Sequence, residues 1–77
     1  MRHSQLRAFH FVAIYNSFSI AAEKLKISQP AVSEQVKKLE KNYDTLLLRR
    51  QNKKISLTET GEKLVILTKQ LFEVEQQ

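Results

Sequence analysis

Residues 28–41 read SQPAVSEQVKKLEK, and their polar side chains are sorted. At helical spacing Val32, Val36 and Leu39 share one face. That leaves Gln29, Ser33, Glu34, Lys37, Lys38 and Lys41 on the outward side. Hydrogen-bonding groups come first and ammonium groups follow. The first set suits the edges of a ligand, and the second suits anions repeated along it. A carboxylate at Glu34 repels phosphate, yet accepts from an amino group such as cytosine N4. A second cationic cluster, Arg49, Arg50, Lys53 and Lys54, lies within LLLRRQNKKISLT.

The charge is distributed unevenly along the chain. Residues 1–58 carry 11 Lys and Arg against 4 Asp and Glu, whereas residues 59–77 carry 2 against 4. A polyanion-binding surface is therefore expected before residue 59. A face of lysines that merely keeps a small domain soluble is the plainer reading of charge alone. With 42% hydrophobic and 27% charged residues the chain has the composition of a folded domain rather than a disordered tail.

Other classes of function find no residues to carry them. There is no cysteine, hence no thiolate or disulfide chemistry, which fits a cytoplasmic location. His3 and His10 stand two helical turns apart with no third ligand, so no metal site is expected. Serines and threonines sit at helix starts without a histidine beside them, and no glycine loop or apolar carboxylate pair is present. No enzyme is expected, nor any cofactor within this chain. No apolar run approaches the roughly 18 residues of a membrane span, so no membrane partner is expected, and the first residues do not form a signal peptide.

The elements that must position these side chains are mainly helical, since the chain has a single Gly and a single Pro. The first helix is predicted from Ser4, its N-cap, to about Tyr15, with Leu6, Phe9, Val12 and Ala13 inward. Asn16 ends it, and Phe18 plugs the core from the connector. Ser19 caps a short second helix whose Ala21, Ala22 and Leu25 are buried, and Ile27 anchors the following turn from inside. Ser28 caps the third helix, with Pro30 in its first turn where no amide hydrogen is needed. Strands over about 47–50 and 54–57 flank a polar tip at Asn52. Thr58 caps the last helix, and Glu59 and Glu62 favour its positive end. Gly61, costly inside a helix, implies close backbone packing. Leu64, Leu67, Leu71 and Val74 begin a heptad seam, which Val65 and Phe72 widen; an intramolecular core is the alternative use of these leucines.

Small Ala21 and Ala22 let a second helix cross closely, which fixes the third helix at a set angle. Two helices held this way form a helix-turn-helix, a device that presents the start of its second helix to base edges in the major groove. The basic hairpin becomes a wing on the neighbouring backbone or minor groove. A winged helix serving only protein interaction or dimerisation is the rival reading, and it does not need cations gathered on the third helix and wing.

The residues resemble the N-terminal domain of LysR-type transcriptional regulators of bacteria. The resemblance covers nearly the whole chain through Ser17-Phe18-Ser19, Ala21-Ala22, Leu25, Ser28-Gln29-Pro30-Ala31, Ser33, Gln35, Leu39-Glu40, Leu47, Arg50, Leu57-Thr58 and Gly61. It implies a mainly α winged helix-turn-helix over 1–58, with a three-helix core and a two-stranded wing, and a linker and dimerisation helix over 59–77. It further implies an effector-binding domain beyond this chain, where a small-molecule effector would be received. Double-stranded DNA is the implied partner of a homodimer, with a higher oligomer open to the intact protein, on an inverted-repeat site. The DNA-binding residues so expected are Ser28, Gln29, Pro30, Ser33, Glu34, Gln35, Lys37, Lys38, Arg50, Lys53 and Lys54. Arg50 is either a structural clamp or a phosphate contact. The dimer interface is expected at Leu64, Leu67, Leu71, Phe72 and Val74. Asn16 and Asp44 stand where the family usually has glycine, and both tolerate positive φ. Leu48 replaces a usual phenylalanine, and Glu34 an arginine common in relatives.

Overall fold

The computed structural model describes residues 3–75, with side chains through Glu73. Helices α1 (His3–Tyr15), α2 (Phe18–Leu25) and α3 (Gln29–Tyr43) are followed by strands β1 (Leu48–Gln51) and β2 (Lys54–Leu57) and by helix α4 (Glu59–Glu75). Central α1 packs on α2, α3 and α4. Its Phe9 and Val12 are wholly buried, as are Ala21 of α2 and Val32 and Leu39 of α3. The expected alanine contact and inner stripe are both present. Among the described residues no helix is long and apolar enough to cross a membrane.

The helix boundaries follow from backbone geometry at three residues with positive φ. Asn16 (φ 53°), Lys26 (φ 60°) and Asp44 (φ 54°) each turn the chain at or just past a helix end. At Lys26 the amide donates to the carbonyl of Glu23 (3.3 Å), and the amide of Ile27 donates to that of Ala22 (3.1 Å). Asp44 and Thr45 repeat the pattern on Lys41 and Glu40 (both 3.1 Å). These paired bonds satisfy carbonyls that a helix end leaves without partners. They, and not a buried anchor, hold the turn between α2 and α3. Ile27 is 43% exposed, contrary to the expectation that it points inward.

Two expected caps also differ. Ser4 lies inside α1, which already includes His3. Ser17 and not Ser19 caps α2, because once Asn16 has reversed the chain Ser17 is the extended residue (φ −164°, ψ 130°), and its Oγ accepts from the amide of Ile20 at 3.0 Å. Phe18 is therefore the first helical residue, and it is buried as expected. Ser28 caps α3 as expected, its Oγ accepting from the amide of Ala31 at 3.2 Å.

Helix α4 has two apolar faces where the sequence suggested one broad seam. Val65, Thr68 and Phe72 are buried, and Phe72 makes an edge contact with His3 and a tilted one with His10, both at 5.1 Å. Phe72 and Val65 thus belong to the interior of this chain and do not widen an exposed stripe. The outward face is instead Ile66 (59% exposed), Leu67 (60%) and Leu71 (43%), with Leu64 half-buried at its edge. The Val74 side chain lies outside the described residues.

The buried face carries one polar link, His10 Nδ1 to Thr68 Oγ1 at 2.9 Å. Thr68 uses its single hydroxyl hydrogen on the carbonyl of Val65 (3.1 Å). In the tautomer with its hydrogen on Nδ1, His10 donates to the Thr68 oxygen. Burial lowers the His10 pKa from 6.5, with Lys69 and Arg7 adding to the effect and Glu73 opposing it. The unfolded chain takes up this proton near pH 6.5 and the folded chain resists it. Stability should be fully present above pH 6.5 and decline as the pH falls below it. Urea unfolding at pH 7.5 and 5.5 should show that decline, and His10→Gln should reduce it.

Candidate nucleic-acid interface

Period-two alternation decides which wing residues face the helices. Strands β1 and β2 pair antiparallel, with Leu48 opposite Leu57 and Arg50 opposite Ile55. Residues directly opposite share a face, so Arg50 lies on the side of buried Leu48, while Arg49 and Gln51 lie on the other. Asn52 and Lys53 close the hairpin with φ of 52° and 63°. Two successive positive values mark the tight turn whose twist matches a hairpin. The first strand starts one residue later than predicted because the Leu47 amide bonds a side chain of α3 and not the opposite strand.

The bonds at this junction come from Glu40 of α3 and from Thr58, between β2 and α4. The Glu40 carboxylate accepts from the amides of Leu47 (2.8 Å) and Leu48 (3.3 Å). The Leu47 carbonyl accepts from the amide of Thr58 at 3.1 Å. The Thr58 hydroxyl donates to the carbonyl of Leu46 (2.7 Å) and accepts from the amide of Gly61 (3.0 Å), as the expected N-cap. A Cβ at Gly61 would overlap the Leu47 carbonyl oxygen, which is the close packing its presence implied. Glu40 was not assigned this role from the sequence. Its signal is a lone acid in the basic run KKLEK, seven residues after Ser33 and so on the same flank of α3.

On the outer side of α3, Gln29, Pro30, Glu34, Lys37 and Lys38 are exposed along with the cap Ser28. Glu34 meets Lys38 at 3.3 Å, an exposed pair one turn apart. Such a pair is worth about 0.3–0.5 kcal/mol, but it offsets the Glu34 charge on a surface otherwise suited to anions. Ser33 is half-buried beneath the wing, where it accepts from Arg50 Nη2 at 3.3 Å. The Arg50 guanidinium lies 3.9 Å from the centroid of the Phe18 ring. Gln35 is half-buried on another flank, since two helical residues point about 200° apart. It is not brought together with Ser33 and Arg50.

Between the wing and the starts of α2 and α3 runs an open groove of about 640 Å³. Ser17, Ser19 and Gln29 line one side and Arg50, Lys53 and Lys54 the other, with no acidic residue in its lining. Lys37 and Lys38 extend the positive surface along α3.

Two helices joined by a tight turn, packed on a third and followed by a basic two-stranded hairpin, define a winged helix-turn-helix. The chain belongs to the LysR family of bacterial regulatory helix-turn-helix proteins, whose pattern matches residues 3–62, and it is a DNA-binding domain of that type. It is similar to a probable RuBisCO transcriptional regulator of Phaeodactylum tricornutum, with 55% identity over 58 residues that cover 75% of this chain and 19% of that protein. The HTH-type transcriptional regulator CysL of Bacillus subtilis is 44% identical over 71 residues, 92% of this chain and 24% of that one. Among solved structures, the BenM DBD in complex with catB site 1 DNA aligns with a TM-score of 0.88 and 35% identity, covering 99% of this chain and 86% of that one. The chain spans about a fifth of the length of the curated relatives it matches first.

The junction of β1 with α4 is checked by Gly61→Ala. Alanine is the better helix former by about 1 kcal/mol, yet its methyl has no room against the Leu47 backbone. Overpacking costs about 1–3 kcal/mol, so a net destabilisation of up to roughly 2 kcal/mol should follow, and a thermal or urea melt will read it.

Proposed function

We propose that this chain binds duplex DNA sequence-specifically, with α3 in the major groove and the wing on the adjoining backbone or minor groove. The observation that carries the reading is the acid-free groove, in which Gln29 at the start of α3 faces Arg50, Lys53 and Lys54 of the wing. Cations flanking a helix that begins with hydrogen-bonding side chains match the division between phosphate contacts that position and base contacts that specify. That the similar BenM DBD was solved in complex with catB site 1 DNA supports duplex binding. In this reading Ser28, Gln29, Pro30, Ser33 and Glu34 lie at or beside the bases, and Gln35, on another flank of α3, does not. Lys37, Lys38, Lys53 and Lys54 serve phosphates.

Two copies act together, paired through α4 on an inverted repeat. One recognition helix gives limited specificity, whereas a dyad sets two of them roughly 34–36 Å apart, in successive major grooves. The outward Leu67, with half-buried Leu64, borders an apolar groove shared with Tyr43 and Leu47, and Leu71 continues the exposed face of α4. Exposed Leu46 and Ile66 enlarge the apolar surface. An exposed apolar helix face of this kind suits an interface. Residues 1–58 are then the DNA-binding unit and 59–77 the linker helix of a cytoplasmic regulator. The greater length of its relatives leaves room for a domain that receives a small-molecule effector.

Affinity for a duplex should fall with salt, with a log–log slope of roughly −0.9 per phosphate contacted. Replacing both Lys53 and Lys54 by glutamine should flatten the slope and leave the preferred sequence, selected from a random pool, unchanged. A flat response in the unsubstituted chain would refute DNA binding.

Pairing has its own measurement. Leu67→Glu with Leu71→Glu should yield a folded monomer by sedimentation, with binding to paired half-sites reduced to that of a single half-site. Undiminished paired-site binding by that monomer would exclude α4 as the interface.

A further inference from the structure

Arg50 is the wing cation whose side chain is already engaged. Its guanidinium faces Phe18 of α2 at 3.9 Å and donates from Nη2 to Ser33 Oγ of α3 at 3.3 Å. One side chain thus bridges the wing to both helices of the helix-turn-helix. The arrangement needs a planar cation that stacks and donates along its edge together, which a lysine ammonium cannot do. Lys53 and Lys54 border the same groove, and neither forms an ion pair with a described residue. The phosphate-binding capacity of the wing therefore does not depend on Arg50.

The contact also acts on Ser33. A hydroxyl has one hydrogen and two acceptor sites. With Arg50 directed at its oxygen, one acceptor site is occupied and the hydrogen stays available. The cation favours the hydroxyl as a donor, aimed at acceptor atoms such as guanine N7 and O6 or thymine O4, over its use as an acceptor from an amino group. Together with the DNA-binding reading above, on which this rests, we infer that Arg50 is a positioning residue. It sets the wing against α3 and biases Ser33 toward donating to a base, and it is not a phosphate anchor.

The test combines base selection with salt dependence. Arg50→Lys, which keeps the charge, should relax discrimination at the base read by the first turns of α3 by about 10-fold, within the usual effect of one mismatched contact. Ser33→Ala should relax the same position, and the double substitution should do little more than either alone. Arg50→Met should leave the salt slope unchanged, whereas Lys54→Gln should reduce it. In the unsubstituted chain, the upfield ring-current shift of the Arg50 side-chain protons should persist when DNA is added, a measurement that needs no variant to fold. An Arg50→Met protein that loses about 0.9 of slope per subunit while selecting the same sequence would overturn the assignment. So would loss of the ring-current shift in the complex. Failure of the unsubstituted chain to bind any duplex overturns the DNA-binding reading itself, and this assignment with it.

Discussion

Everything after α3 depends on how the three residues Leu46, Leu47 and Leu48 are held. Their backbone is bonded from one side by the Glu40 carboxylate and from the other by Thr58, with Gly61 permitting the approach. Leu47 and Leu48 are buried where the chain enters the hairpin, and leaving amides unpaired there costs about as much as losing hydrogen bonds outright. Glu40 supplies the acceptor and Thr58 supplies donors. The segment is thereby fixed, and with it the start of the wing and the start of α4. Two elements with different tasks take their positions from one junction.

The electrostatics divide along the same junction. Upstream and in the wing the cations gather, and Glu34, the acid on the outer surface of α3, is met by Lys38. Glu40 is the other acid of that helix, and its charge is turned inward to the backbone amides. Neither carboxylate stands alone before an approaching phosphate. Downstream, α4 begins with Glu59 and Glu62, which suit the positive end of a helix.

Local patterns made much of this legible. The Val32, Val36 and Leu39 stripe, the caps at Ser28 and Thr58, the alanine crossing and the glycine contact all have short-range signatures, and they are where the sequence placed them. The misses have physical causes. Ser17 and Ser19 flank Phe18 equally well, and only the reversal at Asn16 selects the first as cap. Ile27 looked like an anchor because it is apolar, but bonds within the backbone already fix that turn and leave its side chain outside. On α4 the inward set Val65, Thr68 and Phe72 is interrupted by a threonine, so the leucine seam is the stronger pattern and puts Phe72 on the wrong side. Glu40 acts on backbone amides seven and eight residues away, a relation that no periodicity reveals. The family resemblance gives the expected DNA-binding residues by position, while the union of Arg50 with Phe18 and Ser33 joins three elements that are distant in sequence.

Helix α4 is secured near its start by Thr58 and again along its length by the contacts of Thr68 and Phe72 with α1. These contacts tie it to the three-helix core. Its 17 residues extend about 25 Å at 1.5 Å per residue. Over such a lever arm a tilt of about 10° between paired helices displaces the far end by roughly 4 Å, more than the 3.4 Å advance per base along a strand. In a paired molecule a small change in the angle between two such helices becomes a change in DNA register.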